Sequence, residues 1–222
     1  MANDNLTEVV FILDKSGSMW DLRDDTIGGF NSMLDKQKAT DNKVLVSTIL
    51  FDDVINVVHD RMPIEEIKPM TREDYSPDGC TALLDAMGET IKHIKTIHKY
   101  VRAEDCPSKT LFIITTDGME NSSVRYSAAD VKKMVEAQKK TGWEFLFVGA
   151  NIDAVETAGR FGIDANRAVN YHSDHIGTRK AFDTFGNLMC CFAAALPGAA
   201  KAFDESMLDD LRKDFIDRKS NK

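Results

Sequence analysis

The stretch FILDKSGSMW, residues 11–20, ends an apolar run in one acid and sets two small hydroxyl residues after it at alternate positions: Asp14, Ser16 and Ser18. The apolar run starts at Glu8 and continues to Leu13 in Val, Phe, Ile and Leu, as a strand covered on both faces should. In a sheet of such strands, ligands gather where the carboxyl ends meet their loops. Asp14 therefore stands where chemistry is expected. Asp14, Ser16 and Ser18 suit an ordinary turn, and they equally suit three oxygen donors around a hard cation.

Working outward, strand-like runs alternate with helical patterns, the signature of an α/β domain around a mainly parallel sheet. Ile27, Phe30 and Leu34 repeat at helical spacing. Val44–Phe51 reads as a second strand and Val54–His59 as a third, with only Asp52 and Asp53 between them. So short a link cannot make a parallel crossover, so the third strand is expected antiparallel, at an edge. A polar, proline-bearing loop is expected from Met62 to Gly79, then a helix striped by Leu83, Met87, Ile91 and Ile94. Leu111–Thr115, Trp143–Val148 and Arg167–Tyr171 complete six expected strands. Between them lie a helix opened by a capping box at Ser127 and Asp130, and a short helix from Ala154 to Phe161 stopped by Gly162. The expected fold is a doubly wound, Rossmann-like α/β sheet of six strands with helices on both faces. Residues 1–175 form its domain. Residues 176–222 form a helical extension, broken at Pro197-Gly198, whose last helix carries Leu208, Leu211 and Phe215 on one side and is expected to pack back on the domain, with a partner-binding helix as the alternative.

Bulk properties narrow the function. The chain has 222 residues, 43% apolar and 29% charged, enough for a sizeable core. Its 36 acids against 28 Lys and Arg argue against nucleic acid as a partner, which needs a concentrated basic face. The segment MANDNLTEVV carries acids where a secretion signal would be basic, and the run LMCCFAAAL is far short of a membrane span. The expectation is a cytoplasmic protein without a membrane partner. The four cysteines share no metal-ligand spacing and read as reduced thiols.

Two further stretches add to the first. LFIITTDGMEN puts Asp117 at the end of another strand, and DGCTALLDA puts Thr81 at a helix opening after Gly79. Two carboxylates and three hydroxyls thus converge from three loops. That donor set suits Mg²⁺ or Mn²⁺, with Ser16, Ser18 and Thr81 as neutral donors and Asp14 and Asp117 binding directly or through water. Mostly neutral donors leave an ion net positive and ready for an outside anion. Asp14-x-Ser16-x-Ser18 with Thr81 and Asp117 resembles the metal-ion-dependent adhesion site (MIDAS) of von Willebrand factor type A (VWA) domains, over about residues 7–171. The resemblance implies a protein-interaction module, a scaffold or assembly factor, whose partner offers an Asp or Glu to the metal. Ring-shaped ATPase complexes are among the partners it implies.

Met19 and Trp20 suit an apolar partner-binding rim beside the motif, and equally suit burial under the first helix. Asp85, one turn beyond Thr81, reads as a bond to loop backbone. His93, His98, His172 and His175 read as structural or exposed. Two other function classes stand beside the interaction module. A phosphoryl hydrolase with Asp14 as nucleophile lacks the general acid that haloacid-dehalogenase-like enzymes carry where Ser16 stands. A structural subunit would use its metal only to brace loops. No phosphate-binding G-x-x-x-x-G-K-[ST] loop occurs.

Overall fold

The computed structural model describes residues 3–195 and 204–219. Its strands are β1 (Asn3–Asp14), β2 (Lys43–Phe51), β3 (Ile55–Pro63), β4 (Pro107–Thr116), β5 (Trp143–Gly149) and β6 (Ala168–Asn170). They form one sheet in the order β3-β2-β1-β4-β5-β6. All neighbours are parallel except β2 and β3, so the expected antiparallel edge is present. Helices α1 (Arg23–Lys38), α2 (Leu83–Tyr100), α3 (Ala128–Lys139), α4 (Ala154–Arg160), α5 (His175–Ala194) and α6 (Asp209–Lys219) surround it.

The period-2 geometry of β1 explains the two-faced core. Val9, Phe11 and Leu13 point to one face, where Phe30, Met33 and Leu34 of α1 meet Phe185, Leu188 and Met189 of α5. Val10 and Ile12 point to the other, under Met87, Ile91 and Ile94 of α2 and Val131 and Val135 of α3. Each such fully buried side chain contributes about 1.5–3 kcal/mol. Helix α5 therefore shares its core with the sheet, and the Lys109 ammonium closes its carboxyl end by donating to the carbonyls of Ala193 and Ala195, both at 2.6 Å. Helix α6 packs against α5 through Leu211 and through Asp214, which accepts from Lys180 at 2.6 Å and Arg218 at 3.2 Å. The Pro197-Gly198 break lies outside the described residues.

The capping box is formed: Ser127 Oγ accepts from the Asp130 N–H, and Asp130 Oδ2 accepts from the Ser127 N–H. Two expectations need correcting. Strand β3 runs on to Pro63, because bulges opposite Val46, Thr48 and Ile49 let the pairing continue past His59. The segment after it is no simple polar loop. A short 3₁₀ helix (Ile64–Glu66) opens it, and Ile64, Ile67, Met70 and Tyr75 enter the core beneath α1. Among the described residues no helix is long and apolar enough to cross a membrane.

Candidate metal centre

Strands β1 and β4 lie side by side in parallel, so their carboxyl ends deliver Asp14 and Asp117 to one corner. Asp14 is buried at the strand tip. Its Oδ1 accepts from the Ser16 N–H at 2.8 Å and its Oδ2 from the Thr116 hydroxyl at 2.6 Å. The Ser16 and Ser18 hydroxyls lie 3.2 Å apart, and Ser18 donates to Asp117 Oδ1 at 2.6 Å. Four of the five motif residues are thus joined in one hydrogen-bonded cluster.

Thr81 reaches the cluster through its loop. Gly17 N–H donates to the Gly79 carbonyl at 3.2 Å, while Thr81 exchanges two bonds with Asn121, its N–H donating to Oδ1 and its carbonyl accepting from N–H. The Thr81 hydroxyl itself makes no hydrogen bond to the other four. Gly79 takes φ +69°, and a Cβ there would fall 2.6 Å from Asp53 Oδ2. The loop therefore needs glycine at this bend.

Several holding residues carry no mark in the motif itself. The Tyr75 hydroxyl donates to the Asp14 carbonyl at 2.6 Å, and Asn151 Nδ2 to the Asp117 carbonyl at 3.1 Å. Ser173 Oγ lies 3.5 Å from Asp117 Oδ2. Thr116 was legible as the residue before Asp117. Tyr75, Asn151 and Ser173 sit in loops whose approach to the site depends on the tertiary fold, and nothing local announces them. Asp85 accepts from the N–H groups of Val124, Arg125 and Tyr126 at 3.0, 2.9 and 2.9 Å, the backbone role expected of it. Glu120 accepts from Leu84 N–H at 2.8 Å and so covers the open start of α2.

The electrostatics are unbalanced. No Lys, Arg or His pairs with Asp14 or Asp117 among the described residues; Lys15, between the motif residues, turns away to a buried pair with Asp52. Burial raises the Asp14 carboxyl above its ordinary range. Hydrogen bonds from Ser16 and Thr116 oppose this, and the charge of Asp117 adds to it. Burial likewise holds the phenols of Tyr75 and Tyr171 far above their usual values, so both stay neutral. All five candidate donors are oxygens, a set that fits a hard divalent cation. Among the described residues no group of three or more His, Cys, Asp or Glu side chains is placed to hold a metal ion.

The remaining candidates separate. Trp20 is 55% exposed, with the Arg23 guanidinium 4.9 Å above its ring, whereas Met19 is buried in the core under α1. Of the expected apolar rim, only Trp20 lies on the surface. The four candidate histidines all have partners in the fold: His93 with Asp60, His98 with the buried Glu8, His172 with the Phe215 carbonyl, and His175 with Asp25. Cys80 is exposed, its N–H held by Asp53 Oδ2 at 3.2 Å. Beneath Asp14, the hydroxyls of Thr26 and Thr178 are buried without partners and line a void of about 10 Å³ shared with Tyr171.

No family model matches this sequence, and no curated protein matches it. Solved structures do. The mussel byssus proximal thread matrix protein 1 with a zinc-occupied MIDAS motif superposes with a TM-score of 0.57 at 15% identity, over 86% of this chain and 47% of that one. A von Willebrand factor type A protein from Catenulispora acidiphila gives 0.54 at 15% identity, over 86% and 44%. The vWF domain of the pilus tip protein Mfa5 from Porphyromonas gingivalis gives 0.56 at 12% identity, over 85% and 96%. The chain spans about half the length of the mussel and Catenulispora proteins. At these identities the likeness is one of fold: the chain adopts the von Willebrand factor type A architecture.

Proposed function

We propose that Asp14, Ser16, Ser18, Thr81 and Asp117 hold a divalent cation, Mg²⁺ or Mn²⁺, as a MIDAS, and that the ion presents an open position to an Asp or Glu of a protein partner. The observation that carries this is the pair of converging buried carboxylates with no cationic side chain among the described residues to balance them. Buried like charges are costly unless compensated, and a cation compensates both at once. The hydroxyls are prepared for the same task. Ser18 donates a hydrogen bond to Asp117, which leaves an oxygen lone pair for an ion. The zinc-occupied motif of the mussel protein supports a divalent ion in this architecture. Neutral oxygens among the ligands leave the ion acidic enough to take a carboxylate from outside.

On this reading the protein is a cytoplasmic interaction module, and Trp20 lies on the partner-facing rim. An ATPase complex as the partner rests on the sequence resemblance alone. The test is a thermal-unfolding titration with Mg²⁺, Mn²⁺ and Ca²⁺ on the wild type and on Asp117→Ala. Ligand linkage gives about 2.7 kcal/mol of added stability at a hundredfold excess over Kd. The expected result is a rise in the wild type that the variant loses. No rise with any ion at millimolar concentration would overturn the metal assignment. Partner binding unchanged in Asp14→Ala would leave a metal that only braces the loops.

A further inference from the structure

The open edge of the sheet carries a surface that the metal does not explain. Residues 54–58 read VINVV, uncharged and β-branched in four positions of five. Strand β3 pairs with β2 alone, so its other edge has no strand partner among the described residues. Such an edge is a template for another strand, and proteins guard it with charges, proline or bulges. The guards here begin at Val58, with a bulge between Val57 and His59, and continue through a second bulge, Asp60, the left-handed Arg61 (φ 50°) and Pro63. The upper end has none. Val54 and Val57 are 60% and 58% exposed there.

Beside this edge a groove of about 540 Å³ opens between β3 and α2, floored by Ile49, Ile55 and Val57. Its rim is acidic. Asp53, Asp60 and Glu89 face one permanent cation, Arg125, which also lies 3.5 Å from Asp85. His93 pairs with Asp60 at 2.9 Å. Asp53 has no ion pair among the described residues and accepts from Cys80 N–H. Two loops link the groove to the metal face: Asp53 holds the Cys80 N–H next to Thr81, and Arg125 lies on the loop that follows Asp117.

We propose that this groove receives an extended segment of another protein, added to β3 as a further strand. Apolar side chains at alternate positions enter the groove, and a lysine or arginine lies against the acidic rim. The free backbone edge calls for a strand, the apolar floor for every second side chain, and the rim for positive charge. Charge also decides against a second copy of this chain, which would bring the same acidic rim and a net charge of −8 to the seam. The proposal stands independently of the metal.

The test uses the full chain, ¹⁵N-labelled and metal-free, with the synthetic peptide acetyl-Lys-Val-Thr-Val-Thr-Val-Lys-amide and its Glu-flanked counterpart. The lysine peptide is expected to slow exchange of the outward-facing backbone amides among residues 55–58 by at least about tenfold and to bind more tightly than the Glu-flanked one. Val57→Glu, at an exposed position that leaves the thermal transition in place, is expected to weaken the peptide by at least about tenfold, while Val57→Thr retains it. No slowing at about 1 mM peptide overturns the proposal, as does equal binding of the two peptides. Slowing without peptide that grows with protein concentration assigns the edge to a second copy and overturns it too.

Discussion

Replacing Asp85 with alanine should loosen the metal face without touching a candidate ligand. One buried carboxylate here accepts three consecutive backbone N–H groups, from Val124, Arg125 and Tyr126, and Arg125 approaches it at 3.5 Å. Hydrogen bonds to a charged acceptor contribute about 1.5–3 kcal/mol each in place. The freed amides lie on an exposed loop where water takes over, which brings the net loss to about 2–4 kcal/mol. For a chain of this size that lowers Tm by roughly 5–15 °C.

The loss should also depend on pH. Burial alone would raise the Asp85 carboxyl, but the three backbone N–H groups and Arg125 outweigh it and hold the group below its ordinary value. A depressed acid contributes stability above its unfolded pKa of about 3.9 and loses it as pH falls through the folded value. The gap between wild type and Asp85→Ala should therefore be full near neutrality and close below about pH 4. Urea denaturation across that range measures it, and amide exchange at residues 124–126 locates it. A gap under about 0.5 kcal/mol, or one that persists unchanged into acid, would refute the assignment of Asp85 as the anchor of this loop.

Gly79→Ala should cost about 1–3 kcal/mol and move the metal midpoint to higher concentration, because φ +69° and the nearby Asp53 carboxylate both oppose a Cβ; calorimetry with and without Mn²⁺ checks both effects. Ser127→Ala should cost about 1 kcal/mol through the lost cap of α3, read from urea midpoints with the metal response unchanged. Thr178→Val should leave stability level or raise it by up to about 1 kcal/mol, since it removes a buried hydroxyl with no protein partner. A clear loss of stability in that variant would mean that the hydroxyl is bonded to water in the void beneath Asp14.

Much of the fold was legible because the strands of a covered parallel sheet are long apolar runs with turn chemistry between them. The short link after Phe51, expected as Asp52-Asp53 and lengthened by Val54 in the structure, announced the antiparallel edge by length alone. What escaped depended on partners distant in sequence. Tyr75 is fully buried among residues of α1 and β1 that no local pattern names, and its hydroxyl supports the Asp14 carbonyl. Glu8 looked like the polar start of a strand, yet it is buried between Arg61 and His98, brought from β3 and α2. Met19 and Trp20 show an alternative that sequence leaves open and the fold decides. Each reads equally as surface rim or as core, and the 3₁₀ turn over residues 17–22 rotates Met19 inward while Trp20 stays out.

Motif residues and holding residues divide the labour at the candidate centre, and the division bears on how metal and folding are coupled. Asp14, Ser16, Ser18, Thr81 and Asp117 supply oxygens, but the loops that carry them are fixed by other bonds. Gly17 is tied to Gly79, Thr81 to Asn121, Asp14 to Tyr75, and the loop after Asp117 to Asp85. None of these bonds involves an ion. The fold is therefore expected to form without metal, and the ion should add its binding energy to a structure already in place, in contrast to small domains that remain unfolded until metal arrives. Circular dichroism in excess chelator should show the full α/β signature with a cooperative transition, at a lower Tm than with Mn²⁺. A chain that loses its cooperative transition under chelator would place the ion among the structural supports and make the hydrogen bonds its consequence.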